Sequence, residues 1–324
     1  DSIWLVPLET NDSCLIKNIR QLECKFGKFY VCNNVWNVQV YAQDGNFLYG
    51  TEPYAGGGPG EYTSAMAFRA LPDDTLEIYD AMALKMRYFV PAEGFVSSLN
   101  LPNDVLPSGL YAWINSDTCV FASGQSGLKL YSKSKGKVLD AWEDSWLKQP
   151  FLKTSDALYK VDGKVFFSAT YPSNELFVLT ANGERKLVCL LDFGSRNFSL
   201  EGIPEGLSSN YYYAYMEEHS EYVYPYQKFI SNGRYLAFFS YKGDFYVAYK
   251  KGKEGETVLM RNKIREKGQL MQPHHVGDGK LYYASEPAYL PYVVDTTLMS
   301  REDIARMELV DEMDNPVIVV YRIK

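Results

Sequence analysis

The sequence is poor in the residues that most often build metal centres and disulfide frameworks. It has three histidines and five cysteines, with no CxxC pair and no histidine at the spacing of zinc ligands. Cys24 and Cys32 flank one predicted hairpin, but a turn centred on Phe26 and Gly27 places Cys24 opposite Phe29. We therefore expect structural thiols and no cross-strand disulfide here.

Long apolar runs and basic clusters are also missing. No stretch approaches the ~18 uninterrupted apolar residues of a membrane-spanning helix. The 33 Lys and Arg residues are spread evenly and are outnumbered by 40 Asp and Glu, which gives a net charge of −7. Binding to a phosphate backbone requires a basic stripe. We therefore expect no transmembrane segment in this chain and no nucleic-acid partner.

Known catalytic and cofactor motifs are absent as well. There is no GxSxG, HExxH or EF-hand-like series of aspartates. His274 and His275 are adjacent, so on a strand they point to opposite faces, and His219 is distant in sequence. The run GGGPGEY at residues 56–62 lacks the Lys and Ser/Thr of a P-loop and precedes a strand, which indicates a tight turn. The sequence predicts no catalytic residue, no cofactor and no metal site.

Aromatic residues are abundant. The chain has 27 Tyr, 17 Phe and 5 Trp, with 46% hydrophobic and 23% charged residues. This balance is typical of a globular protein with a sizeable core. Aromatic side chains favour pleated, half-buried surfaces, so the composition indicates β-structure.

One family of tight turns repeats along the chain, and each turn is followed by an apolar strand such as KFYVCN or KLYYAS. Residues that accept positive φ favour such hairpins. The turns stand about 47, 43, 46, 70 and 46 residues apart, close to the ~40–50 residues of a four-stranded propeller blade. They lie at Gly27, Asp73 and Asp74, Ser116 and Asp117, Asp162 and Gly163, Asn232 and Gly233, and Asp278 and Gly279.

A second family of turns closes the next hairpin in each repeat. It has five members rather than six, at Gly45, Gly94, Gly136, Gly183 and Gly252. The chain ends with a strand at residues 316–324 and begins with another at residues 3–8. If these are the third and fourth strands of the last blade, every repeat is complete and no sheet edge is left unpaired. The sequence therefore predicts an all-β fold, a six-bladed β-propeller of four-stranded antiparallel blades, closed by the N-terminal strand.

We expect residues 1–324 to form a single propeller domain with two interruptions. An insert at residues 193–222 is predicted to contain a short helix after Pro204. Residues 300–313 read as a second helix, with Ser300 as N-cap and Asp303 three residues on. We interpret both as excursions from one face of the ring, where function is more often found than in core strands.

Tyrosines cluster in these excursions and are the candidate ligand-binding residues. Tyr combines a large amphipathic surface with a low entropic cost of ordering, which suits the binding of sugars or peptides. The alternative is that they seal the insert onto the blades, together with Tyr222, Tyr224 and Tyr226. The candidates are Tyr211, Tyr212, Tyr213 and Tyr215 in the insert, and Tyr289 and Tyr292 in the sixth blade.

Three motifs resemble one known family. The loop GGGPGEY (56–62), the opening VPLET (6–10) and the ending DNPVIVVYRIK (314–324) are similar to those of six-bladed β-propeller lipoproteins of Bacteroidetes, related to TolB-like and NHL-repeat propellers. The resemblance implies an exported protein, periplasmic or at the cell surface, held in the outer membrane by lipid on a Cys upstream of Asp1. The motifs are architectural, so the resemblance carries no functional residue onto this chain.

Our leading hypothesis is a monomeric, non-enzymatic binding module for a glycan, a peptide or a partner protein. The alternative is a hydrolase or lyase of the NHL or lactonase type, with a divalent cation held by carboxylates and His in the central channel. A third reading is a structural scaffold within an envelope complex.

Overall fold

The predicted repeats form six four-stranded antiparallel sheets, and the fold is a six-bladed β-propeller. A computed structural model provides the coordinates. It describes residues 2–16, 18–33, 37–91, 93–105, 110–123, 127–142, 158–168, 173–199, 209–252, 254–262 and 273–322. No helix in these ranges is long and apolar enough to cross a membrane. The chain divides into two compact units, Asp1–Asn100 with Glu266–Lys324, and Leu101–Arg265.

The first unit contains blades 1, 2 and 6. Blade 1 is β2 (Ile19–Lys25), β3 (Lys28–Asn33), β4 (Val38–Ala42) and β5 (Phe47–Gly50). Blade 2 is β6 (Ala65–Ala70), β7 (Leu76–Asp80), β8 (Lys85–Val90) and β9 (Gly94–Asn100). Blade 6 is β22 (His275–Gly277), β23 (Lys280–Ser285), β24 (Val317–Arg322) and β1 (Ser2–Pro7), with α2 (Leu290–Val293) and α3 (Arg301–Leu309) between β23 and β24.

The second unit contains blades 3, 4 and 5. Blade 3 is β10 (Leu110–Trp113), β11 (Thr118–Ser123), β12 (Gly127–Ser132) and β13 (Lys137–Trp142). Blade 4 is β14 (Leu158–Val161), β15 (Lys164–Phe167), β16 (Glu175–Leu179) and β17 (Arg185–Leu190). Blade 5 is β18 (Val223–Ser231), β19 (Arg234–Tyr241), β20 (Asp244–Lys251) and β21 (Thr257–Asn262), preceded by α1 (Ser209–Glu218).

The closure of blade 6 follows the prediction. β1 pairs antiparallel with β24, with Leu5 opposite Val319 and Val6 opposite Ile318. Alternate side chains of both strands enter a core shared with blade 1, which includes Leu22 and Phe29. Because β1 supplies the fourth strand of the last blade, the two ends of the sequence are held in one sheet.

The turns also form as predicted. Phe26 and Gly27 have φ of 52° and 70°, the left-handed pair of a two-residue hairpin. Cys24 lies opposite Phe29 as expected, and the cysteines are free thiols. Gly45 has φ of 94°, and a Cβ there would lie 2.0 Å from the carbonyl oxygen of Pro7. Glycine at this turn therefore lets blade 1 approach the end of β1.

The GGGPGEY run forms the connection between β5 and β6, as interpreted from the sequence. The Glu61 carboxylate accepts a hydrogen bond of 2.7 Å from the amide of Gly58, so the acidic residue of the motif bonds to the backbone of the same loop. Tyr62 is 1% exposed, and its hydroxyl donates to Asn37 Oδ1 at 2.9 Å. The motif is thus a connection between two blades that is stabilised by hydrogen bonds of its own residues.

Helix α3 begins after Ser300 as predicted and ends at Leu309, four residues before the expected end. The Ser300 hydroxyl accepts from the amide of Asp303 at 3.0 Å, which forms the expected N-cap. The buried residue of the helix is Asp303, whose Oδ1 accepts from the amide of Leu5 at 3.1 Å. This excursion therefore contacts the outer edge of β1.

Candidate functional site

The Tyr-rich insert ends in α1, which leads directly into blade 5. The run SNYYYAYMEE contains no Gly or Pro, so nothing in it interrupts the helix. Tyr211, Tyr212 and Tyr213 belong to this helix, but their side chains lie outside the part of the chain that the structure describes, as do residues 200–208. Tyr215 is described and half-buried.

Three aromatic rings at the end of α1 form what we call the aromatic ledge, namely Tyr215, His219 and Tyr222. Tyr215 and His219 are four residues apart, which places them on one side of the helix. Their ring centroids lie 4.2 Å apart, and those of His219 and Tyr222 lie 6.2 Å apart. All three residues are half-buried, so each keeps part of its surface exposed.

The ledge rests on a buried aromatic base. Phe198 is 7% exposed and Tyr224 is 2% exposed, with ring centroids 5.1 Å apart. Phe198 also meets Tyr215 edge to face at 6.3 Å. The Tyr224 hydroxyl donates to the carbonyl of His219 at 2.9 Å, and burial raises the pKa of this phenol. Tyr224 therefore joins the end of α1 to blade 5.

Charged groups lie beside the ledge. His219 Nδ1 is 3.3 Å from Glu221 Oε1, in a pair whose side chains are 38% and 60% exposed. Hydrogen bonds from its own backbone amide and from His219 lower the pKa of Glu221. The Arg196 guanidinium and the Lys242 ammonium lie 5.2 Å and 5.4 Å from the centroid of the Tyr241 ring, as cation–π contacts.

A backbone contact ties these groups to α1. The Lys242 amide donates to the carbonyl of Ser220 at 3.1 Å. The β19–β20 turn and the segment after α1 are therefore joined by a backbone hydrogen bond. Aromatic faces, a carboxylate and two cations are thus carried by neighbouring segments of one unit.

The remaining predicted tyrosines belong to the other unit. Tyr289 ends a short 3-10 helix (Pro287–Tyr289) and is half-buried. Tyr292 lies in α2 and is 42% exposed. The sequence prediction thus divides into the ledge on α1 and a separate pair in blade 6.

The adjacent histidines lie at the start of blade 6. His274 Nδ1 accepts a hydrogen bond of 3.1 Å from the amide of Ala284, and the ring of His275 packs 5.5 Å from that of Tyr282. Burial lowers the pKa of each to about 4, and the charge of Lys25 adds to the effect at His275. Within the described ranges, no group of three or more His, Cys, Asp or Glu side chains is arranged to hold a metal ion.

Sequence reasoning missed His219 and Glu221 as parts of this site. His219 was weighed only as a metal ligand. The signal that identifies it is the spacing of four residues from Tyr215 within a predicted helix. Glu221 has no such signal, because its position beside His219 depends on the turn after the helix.

Comparisons with known proteins give a family and a fold. A family model described as a domain of unknown function (DUF4934) matches residues 1–322. A search of curated proteins finds no match to the chain. The fold is similar to the crystal structure of a "Putative exported protein" from Bacteroides fragilis, with a TM-score of 0.76 and 17% identity over 99% of this chain and 95% of that one.

Two further structures are more distant. Virginiamycin B lyase from Staphylococcus aureus has a TM-score of 0.43 and 12% identity over 87% of this chain and 80% of that chain. BamB from Moraxella catarrhalis has a TM-score of 0.38 and 12% identity over 94% of this chain and 69% of that chain.

Proposed function

We propose that this chain, which belongs to the family described as a domain of unknown function (DUF4934), is a non-catalytic binding module that takes a glycan on the aromatic ledge. One observation carries the proposal. Tyr215, His219 and Tyr222 form a row of half-buried rings spaced 4.2 and 6.2 Å apart, beside the exposed carboxylate of Glu221.

The chemistry of the ledge favours a sugar over a purely apolar ligand. A sugar ring has faces of C–H groups that pack on aromatic rings, and hydroxyls at its rim that need hydrogen-bond partners. Tyr and His rings provide the amphipathic surface at a low entropic cost. Glu221 and the imidazole of His219 provide polar atoms at the edge of that surface. A peptide or a partner protein is the alternative ligand class.

The proposal includes export to the cell envelope. It is supported by the fold similarity to a Bacteroides fragilis protein described as exported, and by the VPLET, GGGPGEY and DNPVIVVYRIK motifs that resemble propeller lipoproteins. A lipid anchor on a Cys upstream of Asp1 and a monomeric state belong to the same proposal.

The test is a paired glycan and peptide array probed with labelled wild-type protein and four variants. We expect a glycan signal that falls at least about 10-fold in Tyr215→Ala and Tyr222→Ala. Tyr215→Phe is the matched control and keeps the signal, because it keeps the ring. Tyr292→Ala tests the blade 6 tyrosines separately and is expected to bind normally.

Two results would overturn the proposal. One is binding that is equal in the wild type and in both alanine variants, once circular dichroism shows that the variants are folded. The other is a signal confined to the peptide array, which would assign the ledge to protein ligands. If Tyr215→Ala unfolds because of its contact with Phe198, Tyr222→Ala alone decides the test.

A further inference from the structure

A cavity of about 530 Å³ lies in the second unit, where β17 of blade 4 faces the strands of blade 5. Its size is within the usual range of sites for small molecules. Much of its wall is apolar and comes from both blades, including Leu176, Val188, Phe193, Phe229, Leu236 and Ala248. Water would be poorly held against these walls, whereas an apolar ligand would bury them.

One lysine lines this cavity from within the protein. Lys228 is 3% exposed, and its ammonium donates to the carbonyl of Ser173. In the described part of the chain, no carboxylate lies within 4.0 Å of it. Burial lowers the pKa of Lys228 to about 7, against the opposing influence of Cys189 and Glu175. A buried cation without a counter-ion is costly, so an anion at this position would be stabilising.

Two further residues border the same space. Lys250 lines the cavity and lies on the same face of blade 5 as Lys228, because their partners Tyr235 and Ala237 are two residues apart in β19. Tyr249 pairs with Leu236, so its side chain points to the opposite face. Asp192 also lines the cavity, but its carboxylate already accepts from the amide of Gly194 and from Asn197 Nδ2, both at 2.9 Å. Lys228 and Lys250 therefore give one face of the cavity a cationic character, which suits a ligand with negative charge.

We propose that this cavity binds a small carboxylic acid with an apolar body. The carboxylate receives a hydrogen bond from the Lys228 ammonium, and the apolar body lies along the walls shared by β17 and β19. Phosphate or another fully hydrated anion is a poor fit, since it would leave those walls uncovered. This site is independent of the aromatic ledge.

Binding of such an acid is coupled to a proton. The carboxylate favours the charged form of Lys228. The acid therefore binds best below the pKa that Lys228 has in the unliganded protein, and above that pKa its binding causes Lys228 to take up a proton. The other titratable groups at the cavity are Cys189, Glu175, Asp192, Tyr235, Tyr249 and Lys250. Burial raises the pKa of the Cys189 thiol above its ordinary value, which keeps that group uncharged in the neutral range.

The experiment titrates decanoate into the folded protein by isothermal calorimetry, with decan-1-ol as the uncharged probe of equal length. We expect Lys228→Met to weaken decanoate binding at least about 10-fold, because a charged hydrogen bond is lost. Tyr249→Phe should leave decanoate binding unchanged, because that hydroxyl lies on the other face of blade 5, and decan-1-ol should bind the wild type and Lys228→Met alike. Lys186→Met, which removes a lysine that is 63% exposed, is the matched control and leaves decanoate binding unchanged.

A pH series adds a readout that needs no variant. Affinity of the wild type for decanoate should fall about 10- to 30-fold between pH 6.5 and 8.5, because the amine loses its charge with a pKa of about 7. Equal binding of decanoate and decan-1-ol, or a flat pH profile in the wild type, overturns the proposal. Neither result bears on the ledge, since Tyr215→Ala is expected to bind decanoate normally.

Discussion

At the scale of single residues, Asn315 joins two distant parts of the sequence. Its Oδ1 accepts from the amide of Ile16 at 2.6 Å, and its Nδ2 donates to the carbonyls of Glu9 at 2.6 Å and Cys14 at 2.8 Å. Its own amide donates to Thr10 Oγ1 at 2.9 Å. The VPLET and DNPVIVVYRIK motifs therefore meet through one buried side chain.

Replacing Asn315 with Ala should destabilise the protein strongly. The change removes three hydrogen bonds and leaves the amide of Ile16 without its acceptor, at an expected cost of about 2–4 kcal/mol in the free energy of unfolding. Equilibrium urea unfolding measures the loss. Asn46→Ala, which removes an exposed amide that bonds to Asp44, is the control and should cost under about 0.5 kcal/mol. Equal stability of the two variants would show that Asn315 is not a clamp.

At the scale of elements, α3 protects an edge. β1 is the outermost strand of blade 6, so its outer row of amides has no neighbouring strand. Helix α3 covers this edge through Asp303, which accepts a hydrogen bond from the amide of Leu5. Met299, which lies two residues before the helix, forms a β-bridge with Ile3. This excursion therefore contributes to the closure of blade 6.

Removing the Asp303 carboxylate should loosen β1. In Asp303→Ala the amide of Leu5 and the N-cap hydroxyl both lose a partner, so we expect faster hydrogen exchange across β1 and a loss of about 2 kcal/mol. Asp303→Asn keeps an acceptor oxygen and should exchange nearly as slowly as the wild type. Unchanged exchange in Asp303→Ala would contradict the edge-covering role.

These elements show how far sequence reasoning reaches. The closing strand was predictable, because alternation and turn residues such as Gly27 and Asp278 act locally. The role of Asp303 was not, since it depends on where α3 lands. Lys228 was also hidden, because β18 is buried on both faces and its pairing shifts between Pro225 and Gln227. Alternation in sequence cannot assign sides on such a strand.

At the scale of the whole molecule, the two half-buried histidines of blade 6, His274 and His275, make stability depend on pH. Each has a pKa of about 4 in the folded state, below the ordinary value of 6.5. The unfolded chain therefore binds more protons between these values, so the free energy of unfolding falls as the pH drops from 6.5 to 4. Each histidine contributes a slope of at most about 1.4 kcal/mol per pH unit.

His275→Phe should flatten this acid limb. Phe can pack on Tyr282 as the imidazole does, and it removes one titrating group. We expect the variant to lose less stability than the wild type between pH 6.5 and pH 4.5, measured by urea unfolding at each pH. Parallel curves for the two proteins would contradict a depressed histidine pKa.

The fold as a whole was predictable because each repeat carries its own turn and apolar strand. The site was predictable only in part. Tyr215 is a candidate because it lies in a tyrosine-rich segment, whereas the contacts of His219 and Glu221 and the ring spacing depend on the register of α1 and the turn that follows. A ligand surface arises from where side chains meet, and repeats do not encode that.

Calorimetric titration of the best glycan from the array, followed by mass spectrometry of the recovered ligand, tests the central claim most directly. If the protein is a binding module, the glycan should bind the wild type at one site and bind Tyr215→Ala at least about 10-fold more weakly. The recovered glycan should have an unchanged mass. Equal affinity for wild type and Tyr215→Ala would contradict the ledge as the site, and a cleaved glycan would identify an enzyme instead.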